Sequence, residues 1–137
     1  LPDSEQVCGW DFAVKRMKSA DVPEVWAEAY VLDRCRNHPH IVQLFDIFQS
    51  AVPVNRLNLV FGYGGRDLQM MKRDGPVQPA QVRQVVSHVL SGLGHLHGLG
   101  VLHGDLKPAN IFITDLGDGW LCRLGVWVPP RVTRQGS

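Results

Sequence analysis

The hydrophobic pattern of the first half of the chain predicts strands arranged around one helix. Residues 11–18 alternate between apolar and polar positions, which is typical of a strand with one buried face. Residues 19–36 carry apolar side chains at helical spacing, and Asp21 is placed where a helix N-cap is expected. Residues 41–48 and 57–63 are apolar runs of strand length, separated by a proline-containing loop.

The pattern of the second half predicts one long amphipathic helix followed by a hairpin. Residues 79–100 hold a single apolar stripe, formed by Val82, Val85, Val86, Val89, Leu90, Leu93 and Leu96. Gly92 and Gly94 lie inside this helix, where each glycine costs about 1 kcal/mol relative to alanine, so we expect close packing at both positions. The runs "NIFI" and "WLCRL" then predict two short strands joined by the turn "TDLGDG".

The order of elements predicts an α+β fold with two parts. A few-stranded sheet with one helix occupies residues 1–61, and the glycine-rich stretch 62–66 reads as a linker. Residues 67–125 form the start of a helical half with its hairpin. The proline-bearing polar tail, residues 126–137, is predicted to be poorly ordered.

Composition narrows the class of protein. The chain has 137 residues, 45% of them hydrophobic and 20% charged, as expected for one small globular domain. A net charge of +1 argues against a nucleic-acid partner, and no apolar run is long enough to predict a membrane span. Three widely spaced cysteines without a C-x-x-C pair favour a reducing compartment, cytoplasmic or nuclear, over a disulfide framework or a zinc site.

The residues that suggest chemistry lie in "VLHGDLKPANIFI", which spans positions 101–113. The spacing D-x-K-x-x-N places a carboxylate, an ammonium and an amide in one polar loop, and these groups suit a phosphoryl group and its magnesium ion. The alternative is a plain turn stabilised by side-chain hydrogen bonds of aspartate and asparagine. His95 and His97 also form an H-x-H pair, but residues two apart on a helix do not face each other, so zinc is not expected there.

These motifs resemble those of a eukaryotic protein kinase domain. "HGDLKPAN" is similar to the H-R-D-L-K-P-x-N catalytic loop of serine/threonine kinases, in particular those of the cyclin-dependent-kinase-like kind. "FAVK" resembles the V-A-I-K strand, and the intervening segments occur in the order typical of the family from about residue 11 to about residue 125. The resemblance implies a protein-kinase-like fold: a partial β-rich N-lobe plus the first helix and the catalytic-loop hairpin of the helical C-lobe.

The resemblance implies roles for three residues of the polar loop. Asp105 would accept or orient the proton of a substrate hydroxyl, and Lys107 would steady the transferring phosphoryl group. Asn110 would bind magnesium. His103 is interpreted as a buried, hydrogen-bonded packing residue rather than a ligand or base.

The resemblance also implies residues that hold the cofactor, ATP with Mg²⁺. Lys15 would contact the α- and β-phosphates and Glu28 would pair with that lysine. Taken alone, a lysine on a strand is usually a solvated charge, and a glutamate on a helix is more often a surface carboxylate. The remaining positions would form the adenine and ribose contacts: Phe61 behind the adenine, the main chain of Gly62 and Gly64 beside it, and Asp67 near the ribose.

Four departures from the family pattern bear on activity. The segment before "FAVK" holds one glycine where a glycine-rich phosphate loop is expected, and Gly104 replaces an arginine. Eighteen positions after Asp105 the chain reads Arg123-Leu124-Gly125, so a cation stands where a magnesium-binding aspartate belongs. The neighbouring acids, Asp115 and Asp118, fall in the predicted turn. The A-P-E motif and later helices are also missing, so a fragment is expected.

Three hypotheses follow. The first is a serine/threonine kinase, as a fragment with little activity of its own and with a protein substrate. The second is a pseudokinase-like module that binds a nucleotide or a protein partner without catalysis. The third is a purely structural protein. The helix at 19–36 does not resemble a cyclin-binding helix, which argues against a cyclin partner.

Overall fold

The computed structural model describes residues 3–7, 10–16, 22–50, 56–62, 65–126 and 131–132. Their elements, in chain order, are β1 (Asp3–Val7), β2 (Trp10–Arg16), α1 (Val22–Cys35), β3 (Leu44–Ser50), β4 (Arg56–Gly62), β5 (Arg66–Asp67), α2 (Leu68–Asp74), α3 (Pro79–Gly98), β6 (Val101–Leu102), a 3-10 turn (Pro108–Asn110), β7 (Ile111–Asp115), β8 (Trp120–Leu124) and β9 (Arg131–Val132).

The N-terminal part is an antiparallel sheet with the strand order β1-β2-β4-β3. Ala13 in β2 pairs with Phe61 in β4, and Phe61 pairs in turn with Leu44 in β3. All three side chains are buried. Three of these strands follow from apolar patterning, but β1 does not, because "DSEQV" carries a single large apolar residue.

Helix α1 packs on the core through small and aliphatic side chains, and its aromatic residues are exposed. Ala29, Leu32 and Cys35 are buried, whereas Trp26 and Tyr30 are exposed by 48% and 64%. The three buried positions are three residues apart, so they form one stripe along the helix. Asp21, the predicted N-cap, lies outside the described residues.

Helix α3 divides its predicted apolar stripe between core and solvent. It begins at Pro79, where the backbone N–H of Gln78 donates to Gln81 Oε1 at 2.9 Å. Val85 and Leu96 are buried and Val89 and Leu93 are partly buried against the core. The other three stripe residues are exposed: Val82, Val86 and Leu90. One side of this helix therefore packs and the adjoining side contacts solvent.

The two glycines inside α3 have different surroundings. A Cβ atom at Gly92 would stand 2.8 Å from the carbonyl oxygen of His40 and 3.1 Å from Leu124 Cδ1. A Cβ atom at Gly94 would have no such neighbour within 4 Å. The predicted close packing is confirmed at Gly92 and is wrong at Gly94, which lies on the open side of the helix.

The C-terminal strands form a three-stranded sheet, β5-β7-β8, and a two-stranded sheet, β6-β9. Ile113 and Cys122 are paired and buried on the β7–β8 hairpin. Strand β9 pairs with β6 within the tail for which the sequence predicts little order, since Val132 finds a partner in Val101.

The N-terminal and C-terminal parts are joined through β8. The backbone N–H of Val42 donates to the carbonyl of Leu124 at 2.8 Å, and Leu124 N–H donates to the carbonyl of His40 at 2.9 Å. Buried apolar residues from Ala13 to Val126 form one cluster across both parts. No helix within the described ranges is long and apolar enough to cross a bilayer.

Candidate functional site

The predicted catalytic loop, called the catalytic loop below, is residues 103–110, which follow β6 and include the 3-10 turn. Its first residue, His103, is buried and donates from Nε2 to the carbonyl oxygen of Gly125 at 2.7 Å. The backbone N–H of Asp105 donates to His103 Nδ1 at 3.2 Å. The two bonds together require a neutral imidazole with its proton on Nε2. The prediction that His103 is a buried, hydrogen-bonded packing residue is confirmed.

The carboxylate of Asp105 is held by Asn110. The side-chain amide of Asn110, which is 6% exposed, donates both to the carbonyl oxygen of Asp105 at 2.8 Å and to Asp105 Oδ2 at 3.1 Å. Lys107 Nζ lies 3.5 Å from the same Oδ2 atom. The three predicted residues are thus brought together in one half-buried cluster with the second carboxylate oxygen, Oδ1, not engaged by any of these contacts.

The backbone of Asn110 fixes the loop to the end of β8. Asn110 N–H donates to the carbonyl of Lys107 at 2.9 Å, which closes the 3-10 turn. Gly125 N–H donates to the carbonyl of Asn110 at 2.8 Å. Gly125 therefore contacts both ends of the catalytic loop, through its N–H at Asn110 and through its carbonyl at His103.

Gly104 has a backbone reason to be glycine. Its φ is +77°, in the left-handed region that L side chains rarely adopt. The space around a Cβ atom there is open, so the requirement is conformational rather than steric packing. The sequence shows the glycine only as a departure from the family pattern.

The positions assigned to the adenine and ribose lie at the end of β4 and the start of α2. Phe61 is buried, and Gly62 N–H donates to the carbonyl of Gln43 at 2.8 Å. Asp67 is 4% exposed, and its Oδ1 accepts a hydrogen bond from Met70 N–H at 2.9 Å. Asp67 thus caps α2. Gly64 lies outside the described residues.

For Lys15 and Glu28, the predicted phosphate-binding lysine and its partner, the structure describes the backbone alone. Lys15 is in β2, paired in register with Leu59 of the neighbouring strand. Glu28 is in α1. The ion pair between them and the contact of Lys15 with a nucleotide remain predictions.

The donor set for magnesium is small. Arg123 is half-buried in β8, paired with Phe112. Asp115 lies at the far end of β7, about 13 Å of strand from Ile111 at roughly 3.3 Å per residue, and its Oδ1 accepts from Gly117 N–H. Across the described residues no group of three histidine, cysteine or acidic side chains could hold a metal ion. Mg²⁺ at a phosphate site is usually held by one or two carboxylates together with phosphate oxygens, whereas Asn110 offers an amide and Arg123 a cation, so this pair does not fit it well.

A second polar cluster, the histidine seam, consists of His38, His40, His88 and His95. His40 stacks on His88 with ring centroids 4.0 Å apart, and His38 stacks on His95 at 4.8 Å. The sequence directs attention to His95 and His97 as a pair, but His95 faces a residue from the loop after α1. Periodicity within one helix carries no signal for such a contact between distant segments.

Hydrogen bonds to the main chain fix the rings of the seam. His88 Nδ1 accepts from Cys122 N–H at 3.2 Å, and His38 Nδ1 accepts from His40 N–H at 3.1 Å. Burial, followed by the neighbouring His95 and His40, lowers the pKa of His38. Burial and then His40 lower the pKa of His88. These bonds and the lowered pKa values both favour the neutral imidazole at His38 and at His88.

Comparisons with known proteins show the family of the chain. The protein kinase domain model matches residues 4–126. The mitogen-activated protein kinase hog1 of Aspergillus terreus is 32% identical over 127 residues, which cover 89% of this chain and 34% of that protein. The mitogen-activated protein kinase sty1 of Schizosaccharomyces pombe is 32% identical, with 89% of this chain and 36% of that protein covered.

A plant relative has similar identity over a shorter stretch. The CBL-interacting protein kinase 22 of Oryza sativa subsp. japonica is 33% identical over 105 residues, which cover 75% of this chain and 23% of that protein. The chain spans about a third of the length of the fungal relatives. The family match covers both the N-terminal sheet and the catalytic loop, and the chain belongs to the protein kinase domain family, with its α+β fold.

Proposed function

We propose that the chain is the catalytic-loop part of a protein serine/threonine kinase, which transfers a phosphoryl group from ATP to hydroxyl groups of a protein substrate. The observation that carries the proposal is the cluster in which Asn110 and Lys107 both contact the Asp105 carboxylate. Lysine two positions after the aspartate favours the serine/threonine type. Assignment to the cyclin-dependent-kinase-like kind rests on the motif "HGDLKPAN" and is part of the proposal.

The cluster supports the handling of a substrate hydroxyl. The Asp105 carboxylate, with Oδ2 held by Asn110, presents Oδ1 as an acceptor for the hydroxyl proton, which orients the oxygen lone pair. The Lys107 ammonium lies beside the same carboxylate and offsets negative charge on the transferring group. When bound, ATP supplies the phosphoryl group; the residues that would hold it are Lys15, Glu28, Phe61, Gly62, Gly64 and Asp67.

Magnesium fits poorly, and this limits the proposed activity. Asn110 offers one amide oxygen, and Arg123 stands where the sequence pattern places an acid. Two like unit charges 4 Å apart repel each other by about 4 kcal/mol at an effective dielectric constant of 20. We therefore propose that this chain alone transfers phosphoryl groups slowly.

The test is transfer of labelled phosphate from ATP to serine and threonine peptides. We expect slow transfer that Asp105→Asn lowers by a factor of at least about 100, since a positioned general base contributes roughly that much. Asp118→Asn, in the exposed β7–β8 turn, is the matched control and should leave the rate unchanged. Transfer that survives Asp105→Asn would contradict the proposal.

A second candidate function is a binding module without catalysis, and Arg123 is the observation that favours it. In this case ATP would raise the melting temperature equally with and without magnesium, because a ligand stabilises the state that it binds. A melting temperature that ATP does not shift would leave only binding of a protein partner.

The buried thiols support the proposed compartment, which is cytoplasmic or nuclear. Cys35 and Cys122 are free and buried, and burial raises the pKa of each thiol to about 11. Such thiols are protonated and unreactive at neutral pH, as suits a reducing environment.

A further inference from the structure

A cavity lies between α2 and the 3-10 turn of the catalytic loop, which pack against each other. Its volume is about 390 Å³, comparable to that of small ligand sites. The side chains that line it are Gln69, Lys72, Arg73, Lys107, Pro108 and Ala109. Three of these six residues are cations and none is an acid, so the lining favours an anion.

The acidic residues near α2 do not neutralise this lining. Asp74 pairs with Arg66, and Asp67 caps the helix through Met70 N–H. Within the described parts of the chain, neither Lys72 nor Arg73 has a carboxylate in ion-pair range. Both cations are exposed at the cavity and remain available to a ligand.

Lys107 connects the cavity to the catalytic cluster. It lines the cavity, and its Nζ lies 3.5 Å from Asp105 Oδ2. An extended peptide advances by about 3.3 Å per residue. A peptide whose hydroxyl reaches Asp105 therefore places a side chain only a few residues away over Lys72 and Arg73.

We propose that this cavity binds an anionic side chain, a carboxylate or a phosphate, of the peptide substrate, and so selects acidic sequences around the acceptor hydroxyl. The proposal rests on the proposed function, because it takes Asp105 as the residue that meets the hydroxyl. Lys72 and Arg73 supply charge, Gln69 supplies an amide donor, and Pro108 and Ala109 form an apolar wall for the peptide. A peptide suits the site better than a nucleic acid, since the cations are confined to one cavity and the net charge of the chain is +1.

The test is equilibrium binding of fluorescent serine peptides to the 137-residue chain, measured by anisotropy without nucleotide. Three peptides differ only at the residues flanking the serine, which are glutamate, phosphoserine or glutamine. We expect the two anionic peptides to bind about tenfold more tightly than the glutamine peptide, because exposed charge pairs each contribute up to about fivefold. A preference for phosphoserine alone would assign the site to a phosphorylated substrate.

The decisive variant is Lys72→Gln/Arg73→Gln, which should abolish the preference for anionic peptides. Arg83→Gln, a neutralised arginine on an exposed part of α3, is the matched control and should retain it. Arg73→Lys keeps the charge and should also retain most of it. Raising the salt from about 0.1 M to about 1 M shortens the Debye length from about 10 Å to about 3 Å and should weaken the preference.

Equal binding of all three peptides would overturn the inference, as would a preference that survives Lys72→Gln/Arg73→Gln in a folded protein. Circular dichroism of each variant shows whether it is folded. Since the assay contains no ATP, a failure of phosphoryl transfer would count against the proposed function and leave the binding result intact.

Discussion

The catalytic loop and the histidine seam attach distant segments to β8 and to the residue directly after it, but they do so in different ways. The loop bonds to Gly125, and the seam bonds to Cys122, three residues earlier. In the loop, directed hydrogen bonds join His103 to Gly125 and Asn110 to Asp105. In the seam, imidazoles from two segments stack on each other, and His38 and His88 accept main-chain hydrogen bonds that need a ring-nitrogen lone pair. The comparison shows two kinds of attachment around β8. One includes bonds from the amide of Asn110, and the other depends on the protonation state of histidine rings.

The consequence is that the two attachments respond to different perturbations. The amide of Asn110 does not titrate, and neither does the main-chain carbonyl of Asp105 that accepts one of its two bonds. Protonation of His88 at Nδ1 would remove the lone pair that accepts Cys122 N–H. We therefore expect both attachments to fail through mutation, and the seam to be weakened by acid as well.

The largest effect is expected where the loop is anchored. His103→Ala removes two hydrogen bonds from a site that is 5% exposed and leaves Gly125 carbonyl without its donor. The unfolding free energy should fall by about 3 kcal/mol, from the lost bonds and the cavity together. Urea denaturation measures this loss. His97→Ala, at an exposed position of α3, is the control, and an equal loss there would contradict the assigned anchor.

The next effect tests the packing of α3 beside the seam. Gly92→Ala brings a methyl group to 2.8 Å from the carbonyl oxygen of His40 and should destabilise the fold by about 1–3 kcal/mol. Gly94→Ala has open space and should stabilise the helix by about 0.5–1 kcal/mol. Opposite signs in thermal denaturation support the close contact; the same sign for both would refute it.

The smallest effect is the pH dependence of the seam. Burial and neighbouring histidines lower the pKa of His38 and His88 below the ordinary value of 6.5. The unfolded chain then binds more protons, so the stabilisation is present above about pH 6.5 and is lost as the pH falls toward the lowered values. Between about pH 7.5 and about pH 5 the melting temperature should fall by about 2–5 °C.

The cysteines and the ion pair beside the seam do not explain a change in stability between about pH 7.5 and about pH 5. The thiols of Cys35 and Cys122 are protonated throughout this range because their pKa values are raised to about 11. At the end of α1, Arg36 pairs with Asp33 at an exposed position. His88→Gln should flatten the pH profile while His97→Gln keeps it; an unchanged slope in His88→Gln would exclude the seam as the cause.

Periodicity and motif together predict most of the fold and part of the site. The apolar run around Phe61 predicts β4, and the apolar stripe predicts α3, because both patterns depend on spacing between nearby residues. The D-x-K-x-x-N spacing brings Asp105, Lys107 and Asn110 together because all three lie in one loop.

The remaining features depend on contacts that the local pattern does not contain. Strand β1 is polar and exists as the edge partner of β2. His38 and His95 meet only after α1 and α3 pack. Trp26, the largest apolar side chain of α1, is exposed because the helix packs on the sheet through the stripe that contains Ala29 and Cys35.

The most direct test of the central claim concerns Arg123: the catalytic loop is formed, but the metal-binding acid is replaced. Calorimetry should measure ATP binding with and without magnesium for the natural chain, Arg123→Asp and Arg123→Ala. We predict that magnesium leaves the affinity of the natural chain unchanged and raises that of Arg123→Asp by at least about fivefold, with Arg123→Ala in between, since an acid adds the kind of ligand that Mg²⁺ prefers. Magnesium-dependent binding by the natural chain that Arg123→Asp does not increase would contradict the claim.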